Sequence, residues 1–510
     1  GVRGHTMFHL GSAGGMGYVR LADMGKRGVL GRYPVHFHQV KDSMRGASVV
    51  GLAVVNSHNR WVTVHGTEYL VVRDCVGYGS EGHGFFLEDG TEVYNVLDRN
   101  LAVQAYDGGR IDGQALTFDP NDGAGFWWAN GKNTFVRNVA CENEQYGFRY
   151  DSQKRSNFDP VLPVRGVDGR REKLDIRELP VFRFEGNEAH AEGLYGYAFA
   201  GTEGAGPDER HPHRLVGNTA WEVHYAFRMQ LPTMLVERTR VERAAYGIYR
   251  PWFDRHVYRD LRIARTNTEP FNRGLDDKSL QHGPVTVDGL VFEGIRPSGM
   301  PLVQLSANTA GATGVETHLR NVRVEAPEGS RQRSLVDMGG GTRVKEKEID
   351  GVPVYLHDWY GAGRHAKVVS SRSREFLGDG DGAFREEVPV TGDESRVREV
   401  GGVEFPELLP AVDDEPPATV VTWPVRGLVA MLGTSGAMVV RGTTTDNVKT
   451  AKVVVNGVEA TPLAGALGFH EWEVVLEGVK AGDLRIEAHG VDVAGNVEET
   501  GHVLEVRSAE

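Results

Sequence analysis

Four histidines, His9, His36, His38 and His65, sit in short strand-like segments (MFHLG, VHFHQ, VTVHG), and FFLED follows with Glu88 and Asp89. His9 to His36 and His38 to His65 are both 27 positions apart, and His65 to Glu88 is 23. Several imidazoles with a carboxylate suit Zn, Cu, Ni or Fe, whereas Ca and Mg prefer shells made of oxygen alone. His9, His36, His38 and His65 are therefore candidate ligands of a divalent metal ion. The same residue types move protons near neutral pH. His65, His83, Glu88 and Asp89, with Glu92 nearby, are candidate catalytic groups, His83 as a proton shuttle in a Gly-flanked turn. Two plainer readings stand beside these. The imidazoles can be solvated or hydrogen-bonded with no metal, and Asp89-Gly90 can simply close a turn.

Such a return interval implies a chain that coils and stacks distant residues. Alternate residues of a strand share a face. With Val35, Phe37, Val62, Val64, Phe85 and Leu87 inward, the histidines and Glu88 point outward. Continuing the phase puts Trp127, Arg149 and Asp151 on the same outer face, which Arg228 and Arg250 extend. Trp127 offers a flat apolar face of the kind that stacks on sugar rings. Arg149 and Arg228 suit sugar carboxylates. The inference depends on register, since a slip of one residue turns half of these inward.

Aromatic strands flanked by Gly (GHGFFLED, GAGFWWAN, QYGFRYD, LYGYAFAG, AYGIYRPW) alternate with hydrophobic stretches carrying Asn or Asp, such as TFVRNVACEN and HRLVGNTAW. The 66 glycines among 510 residues favour many tight turns. Short strands returning at a fixed period are the signature of a solenoid. Asn and Gly at its corners suit positive φ and allow side-chain hydrogen bonds along the stack. An antiparallel sandwich would show hairpin turns instead. The expected fold is all-β: a right-handed parallel β-helix over residues 1–375, with longer gaps such as 151–180 as insertions on one edge. Residues 376–417, rich in Gly, Pro and acids, read as a closing segment and linker. From 418 the alternating strands and the Asn456-Gly457 turn fit a small immunoglobulin-like β-sandwich over 418–510.

The net charge of −13 argues against a general nucleic-acid binder. No apolar run is long enough to span a bilayer. Two cysteines, Cys75 and Cys141, exclude a disulfide framework and read as buried thiols. The chain opens in mid-pattern at GVRGHTMFHLG, as a trimmed piece of something longer would.

The run GRYPVHFHQV, then SHNRWVTVHGTEYLVVRDCVGYGSEGHGFFLEDGTE, resembles the cell-surface hyaluronidase family, over roughly residues 28–100. The resemblance implies a parallel β-helix, a secreted or cell-surface location and cleavage of an anionic glycosaminoglycan. It also singles out Arg32, His36, His38, His65, His83, Glu88 and Asp89 as site positions. The sandwich tail is a bacterial-style addition, so a different uronic-acid polysaccharide is as good a substrate as hyaluronan. Three functions follow. The first is a hydrolase or lyase working on an anionic polysaccharide along the helix face. The second is a non-catalytic glycan-binding or adhesion protein, because fold alone does not fix function. The third is a metal-dependent oxidoreductase using the histidines.

Overall fold

The computed structural model describes residues 3–200, 205–249, 255–272, 284–296, 302–304, 317–325, 336–337, 354–357, 404–409, 412–433 and 436–509. Arg250 and most of the closing segment lie outside these residues. The chain forms two compact units, one of residues 1–145, 150–187 and 411–510, the other of 146–149 and 188–410.

The first unit opens as a parallel β-helix. Thr6–Phe8, Val35–Lys41, Val62–Thr67, Phe85–Leu87 and Ala124–Trp128 pair in parallel, in that order. Val35 lies beside Thr6 and Val62, and Phe85 beside Val62 and Phe126. Two further stacks complete each coil, for example Ser48–Val50 on Val71–Arg73 and Ala53–Ser57 on Val76–Glu81. In-register stacking places like on like. Phe8 lies 4.5 Å from Phe37 and Phe85 5.0 Å from Phe126, ring to ring. Val35, Phe37, Val62, Val64, Phe85, Leu87 and Phe126 fill the core, each stabilising the coil by roughly 1.5–3 kcal/mol on full burial. Gly77 and Gly84 are there for Trp61, because a Cβ at either would sit within 2.3 Å of its indole.

The corners carry Gly186, Gly217 and Asn56 at positive φ, as expected, but at four others the left-handed residue is neither Gly nor Asn. The left-handed residue is the one before the asparagine: Tyr94, Arg99, Arg137 and Glu142, each followed by Asn95, Asn100, Asn138 or Asn143. The asparagine, freed from making the bend, reaches along the stack instead. Asn100 N and Nδ2 both donate to Asn138 Oδ1, at 3.0 and 2.9 Å, and Asn138 repeats this with Asn187. A buried ladder of this kind satisfies backbone and side chain together. The insertion at 151–180 contains an antiparallel hairpin, Val161–Arg165 with Arg171–Asp175, whose Arg165 and Arg171 both bind the buried Glu68. Cys75 is buried, its thiol pushed up to about 11 by burial.

The C-terminal part of this unit is a sandwich of a four-stranded and a five-stranded sheet closing on Trp472, Val440, Val453, Ile486 and Leu504. Asn456 and Gly457, both at positive φ, make the two-residue turn between Val455 and Val458. Arginines of the coils reach into the sandwich. Arg45 donates to Thr419 O, Thr500 O and Glu498, and Arg73 to His470 O.

The second unit repeats the coil pattern. Tyr195–Ala200, Tyr225–Gln230, Tyr246–Tyr249 and Glu269–Asn272 pair in parallel, and Arg255–Ala264, Val285–Glu293 and Thr317–Glu325 form a second wall. Among the described residues there is no α-helix, and no helix long and apolar enough to cross a membrane.

Candidate functional site

The coil register builds two adjacent ladders. One runs Met7, His36, Thr63, Phe86, Trp127; the other brings His38 beside His65. His9 extends the second ladder on one side, its ring 5.6 Å from that of His38. Glu88, whose amide bonds Val64 O, extends it on the other. The rings of His36 and His38 are 5.0 Å apart, of His38 and His65 5.0 Å, and of His36 and His65 6.1 Å. One ligand atom from each of His36, His38 and His65 falls within 4.8 Å of the others. His9 is exposed at the rim.

Hydrogen bonds at the back of the rings set which nitrogens face the centre. His36 Nδ1 lies 3.3 Å from Gly31 O, so it carries the proton and Nε2 keeps its lone pair. Nε2 is buried, without a hydrogen-bond partner among the described residues, and 3.7 Å from Glu88 Oε2. His65 Nε2 sits 3.1 Å from Asp89 Oδ2, which turns Nδ1 toward Glu88 Oε2 at 3.5 Å. Glu88 Oε2 and His38 Nδ1 are also buried and have no hydrogen-bond partner among the described residues. Lone pairs facing one another across such distances call for a cation or a proton between them. Burial, and then the neighbouring His38 and His65, pull His36 down to about 3. Burial likewise lowers His38. Burial also acts against charge on His65, but Asp89 and Glu88 outweigh it and leave His65 raised. Asp89 is held at about 2, the contact with His65 overcoming its burial.

Behind this cluster lies a sealed polar layer that sequence reasoning missed. Arg60, fully buried, reaches Glu88 Oε1 at 3.5 Å and Asp119 Oδ2 at 3.6 Å, and lies 3.6 Å above the Phe86 ring. Tyr33 OH donates to Glu88 Oε1 at 3.3 Å and accepts from Arg60 at the same distance. Burial raises Tyr33 to about 12, so it remains a donor. Arg60 and Tyr33 both precede a ladder strand, in SHNRW and GRYP. Reading the residues leading into each strand, as well as the strands, would have found them.

Three expectations change. His83 is sealed: its Nδ1 accepts from Ala124 N at 3.0 Å and its Nε2 faces Asp119 Oδ1 at 2.9 Å. Both nitrogens are engaged away from solvent, so it positions Asp119, which in turn faces Arg60, and shuttles no proton at the groove. Trp127 is buried against Phe86 and Phe118 rather than offering a face to sugar. Asp151 is buried and taken by Arg155 at 3.0 Å. Asp89 accepts from Thr91 N and Oγ1 in a turn, the plainer of its two readings, and its Oδ2 also touches His65. Glu92 is a staple, bonding the amides of Gly66 and Gly90. Arg32 is half-buried with Nη1 3.1 Å from His5. Arg149 and Arg228 belong to the second unit, over the rings of Tyr146 and Tyr195.

Residues 1–197 match the CEMIP β-helix. Mouse Fibrocystin-L is 34% identical over 181 residues, which is 35% of this chain and 4% of that protein. Human cell surface hyaluronidase CEMIP2 is 33% identical over 160 residues, 26% of this chain and 12% of that one. The human cell migration-inducing and hyaluronan-binding protein is 29% identical over 214 residues, 37% and 15%. The chain thus spans a small part of the relatives' lengths. Among solved structures, the gp42 tailspike of Acinetobacter phage vb_AbaP_AS12 aligns at a TM-score of 0.30 and 9% identity, over 98% of this chain and 74% of that one. The histidine ladder and its carboxylates fall wholly inside residues 1–197, the part of the chain that matches the CEMIP β-helix family.

Proposed function

We propose that this chain degrades an anionic, uronate-containing polysaccharide at the His36–His38–His65–Glu88 cluster, outside the cell or at its surface. The observation carrying this reading is the convergence of three imidazoles, two of them within 3.7 Å of Glu88 Oε2, where His36 Nε2, His38 Nδ1 and Glu88 Oε2 are buried without a hydrogen-bond partner among the described residues. The hyaluronidases and the hyaluronan-binding protein among its relatives support an acidic glycan as ligand. The C-terminal sandwich, in this reading, is an immunoglobulin-like attachment to the helix.

The donor set fits a divalent ion of the Zn, Cu, Ni or Fe kind, held by His36 Nε2, His38, His65 Nδ1 and Glu88 Oε2, with His9 at the rim. Bound there, such an ion would polarise a uronate carboxylate or lower the pKa of water. The protein's own part is to hold the ligands. Gly31 O orients His36, Asp89 orients His65, and Tyr33 and Arg60 hold Glu88 by its other oxygen, an arrangement typical of supporting partners at metal sites.

Hyaluronan, chondroitin, alginate and pectin digestions with metal-loaded protein test this, following reducing ends and the absorbance of an unsaturated product. The expected result is cleavage of one of them, falling at least ~100-fold in His36→Ala/His38→Ala/His65→Ala, the upper end of what losing even a supporting partner costs. Binding without turnover, unchanged in that variant, defeats the reading in favour of a glycan-binding protein. Bound redox-active Cu or Fe with glycan oxidation would favour the oxidoreductase.

A further inference from the structure

A second group of candidate ligands lies far from the histidines in sequence and differs in kind. Asp413 precedes the first sandwich strand, Ala418–Trp423. Asp446 follows Met438–Thr445, and Asp492 ends Gly482–Asp492. Three separate segments thus bring three carboxylates to one end of the sandwich, with an oxygen of each within 4.8 Å of the others. Asp446 is 0% exposed and Asp492 2%. Asp446 Oδ1 accepts from Val448 N at 2.8 Å, but Oδ2 is buried and has no hydrogen-bond partner among the described residues.

Like charges this close, out of water, repel and are costly unless something compensates them. Arg183 does so only in part. Its Nη1 reaches the backbone carbonyl of Asp446 at 3.3 Å, while its Nη2 pairs with Glu185 at 2.7 Å. Burial, with Asp413 and Asp492 adding to it, pushes Asp446 up to about 7. The surroundings otherwise hold the three segments in place. Asn496 donates from N to Asp492 Oδ1 and from Nδ2 to both Asp492 Oδ2 and Asp413 O, and Asn447 Nδ2 donates to Val412 O.

We propose that Asp413, Asp446 and Asp492 bind a Ca2+ ion that fastens the segment leading into the sandwich to two loops at its end. Carboxylate oxygen is the donor for a hard cation, and among the described residues no imidazole or thiolate joins the cluster to attract a softer one. Ca2+ fits better than Mg2+, because its shell tolerates irregular geometry and more ligands, whereas Mg2+ holds to an octahedron and keeps its water. The ion supplies the charge that Arg183 does not. It also ties residue 413, near the end of the acidic linker, to loops 446–448 and 492–496. The site is independent of the histidine cluster and of the reading given to it.

Thermal unfolding of the whole chain, stripped with EDTA and then given 1 mM CaCl2, tests the proposal. Calcium should raise the sandwich transition by roughly 5 °C, as binding well above Kd implies, and Mg2+ should raise it less. Asp446→Asn should lose the calcium response yet be no less stable than the native chain in EDTA, because it removes one of three repelling charges. The His36→Ala/His38→Ala/His65→Ala variant should keep the response. Equilibrium dialysis of the unmutated chain should give one Ca2+ per chain, a measurement that does not depend on any variant folding. No binding at 1 mM overturns the proposal. So does an equal calcium response in Asp446→Asn, or a loss of stability in that variant that is the same with calcium as with EDTA.

Discussion

The histidine cluster on the coils and the acid cluster at the sandwich end pose the same electrostatic problem and answer it differently. Each gathers ligand-capable groups out of water. At the first, Arg60 lies between Glu88 and Asp119, Tyr33 donates to Glu88, and a backbone carbonyl and Asp89 set the ring tautomers. At the second, Arg183 reaches only the backbone oxygen of Asp446, and Asp446 Oδ2 has no hydrogen-bond partner among the described residues. A site whose charge is balanced from behind can stand without its ligand and open a face to a substrate. A site that leaves its charge unbalanced depends on an ion, and its natural use is to fasten segments together. Donor type separates them again, nitrogen with oxygen in one and oxygen alone in the other.

The contrast breaks most visibly at Arg60. Arg60→Met leaves Glu88 and Asp119 buried without their shared cation, and losing one partner of such a network costs about 3–5 kcal/mol. Urea unfolding in EDTA should show that loss, against none for Asp446→Asn under the same conditions. A cost below ~1 kcal/mol would mean that the coil site is no better balanced than the sandwich site. Asp89→Asn is gentler. It weakens the partner that turns His65 Nδ1 toward the centre, and should lower affinity for Zn2+ roughly 10–100-fold while leaving Ca2+ binding unchanged. Titration of both ions against both variants checks it; a change in Ca2+ affinity would show that the two clusters are one system.

The outward row of the coil site was legible in the sequence because a parallel stack preserves phase. Once Val35 and Phe37 are inward, His36 and His38 have one direction left, and the neighbouring coils copy it. The same rule misplaced Trp127 and Asp151. Phase tells which way a side chain leaves the coil, but not what later chain covers it, and Phe118 and Arg155 come from segments between the strands. Arg60, Tyr33 and Asp119 were hidden for the same reason, since none lies on a ladder strand. The corners show a subtler limit. Asparagine and glycine were expected at the left-handed turns, and Gly186, Gly217 and Asn56 take them, yet Arg99 and Arg137 do so elsewhere, while Asn100 and Asn138 form the expected bonds along the stack. The acid cluster could not be seen at all, because Asp413, Asp446 and Asp492 have no common period and meet only when the sandwich closes.

The contact between coils and sandwich separates proton sensitivity from ion binding. His502 Nδ1 accepts from Val421 N at 2.8 Å, and Arg45, which lies nearby, binds Glu498 at 2.7 Å. Burial, with Arg45 adding to it, holds His502 at about 3, below its ordinary value near 6.5. The folded chain therefore binds this proton less readily than the unfolded one. Its contribution is fully present above pH ~6.5 and is lost as pH falls toward 3, since the unfolded state takes up the proton first. Val421 N needs an acceptor at this place, which Asn supplies without a titrating group. His502→Asn should thus flatten the dependence of unfolding free energy on pH between 3 and 6.5, and should do so equally with calcium and with EDTA. A slope unchanged by the substitution would move the acid sensitivity elsewhere. A slope that disappears only when calcium is removed would tie this contact to the acid cluster, and the two devices would have to be treated as one.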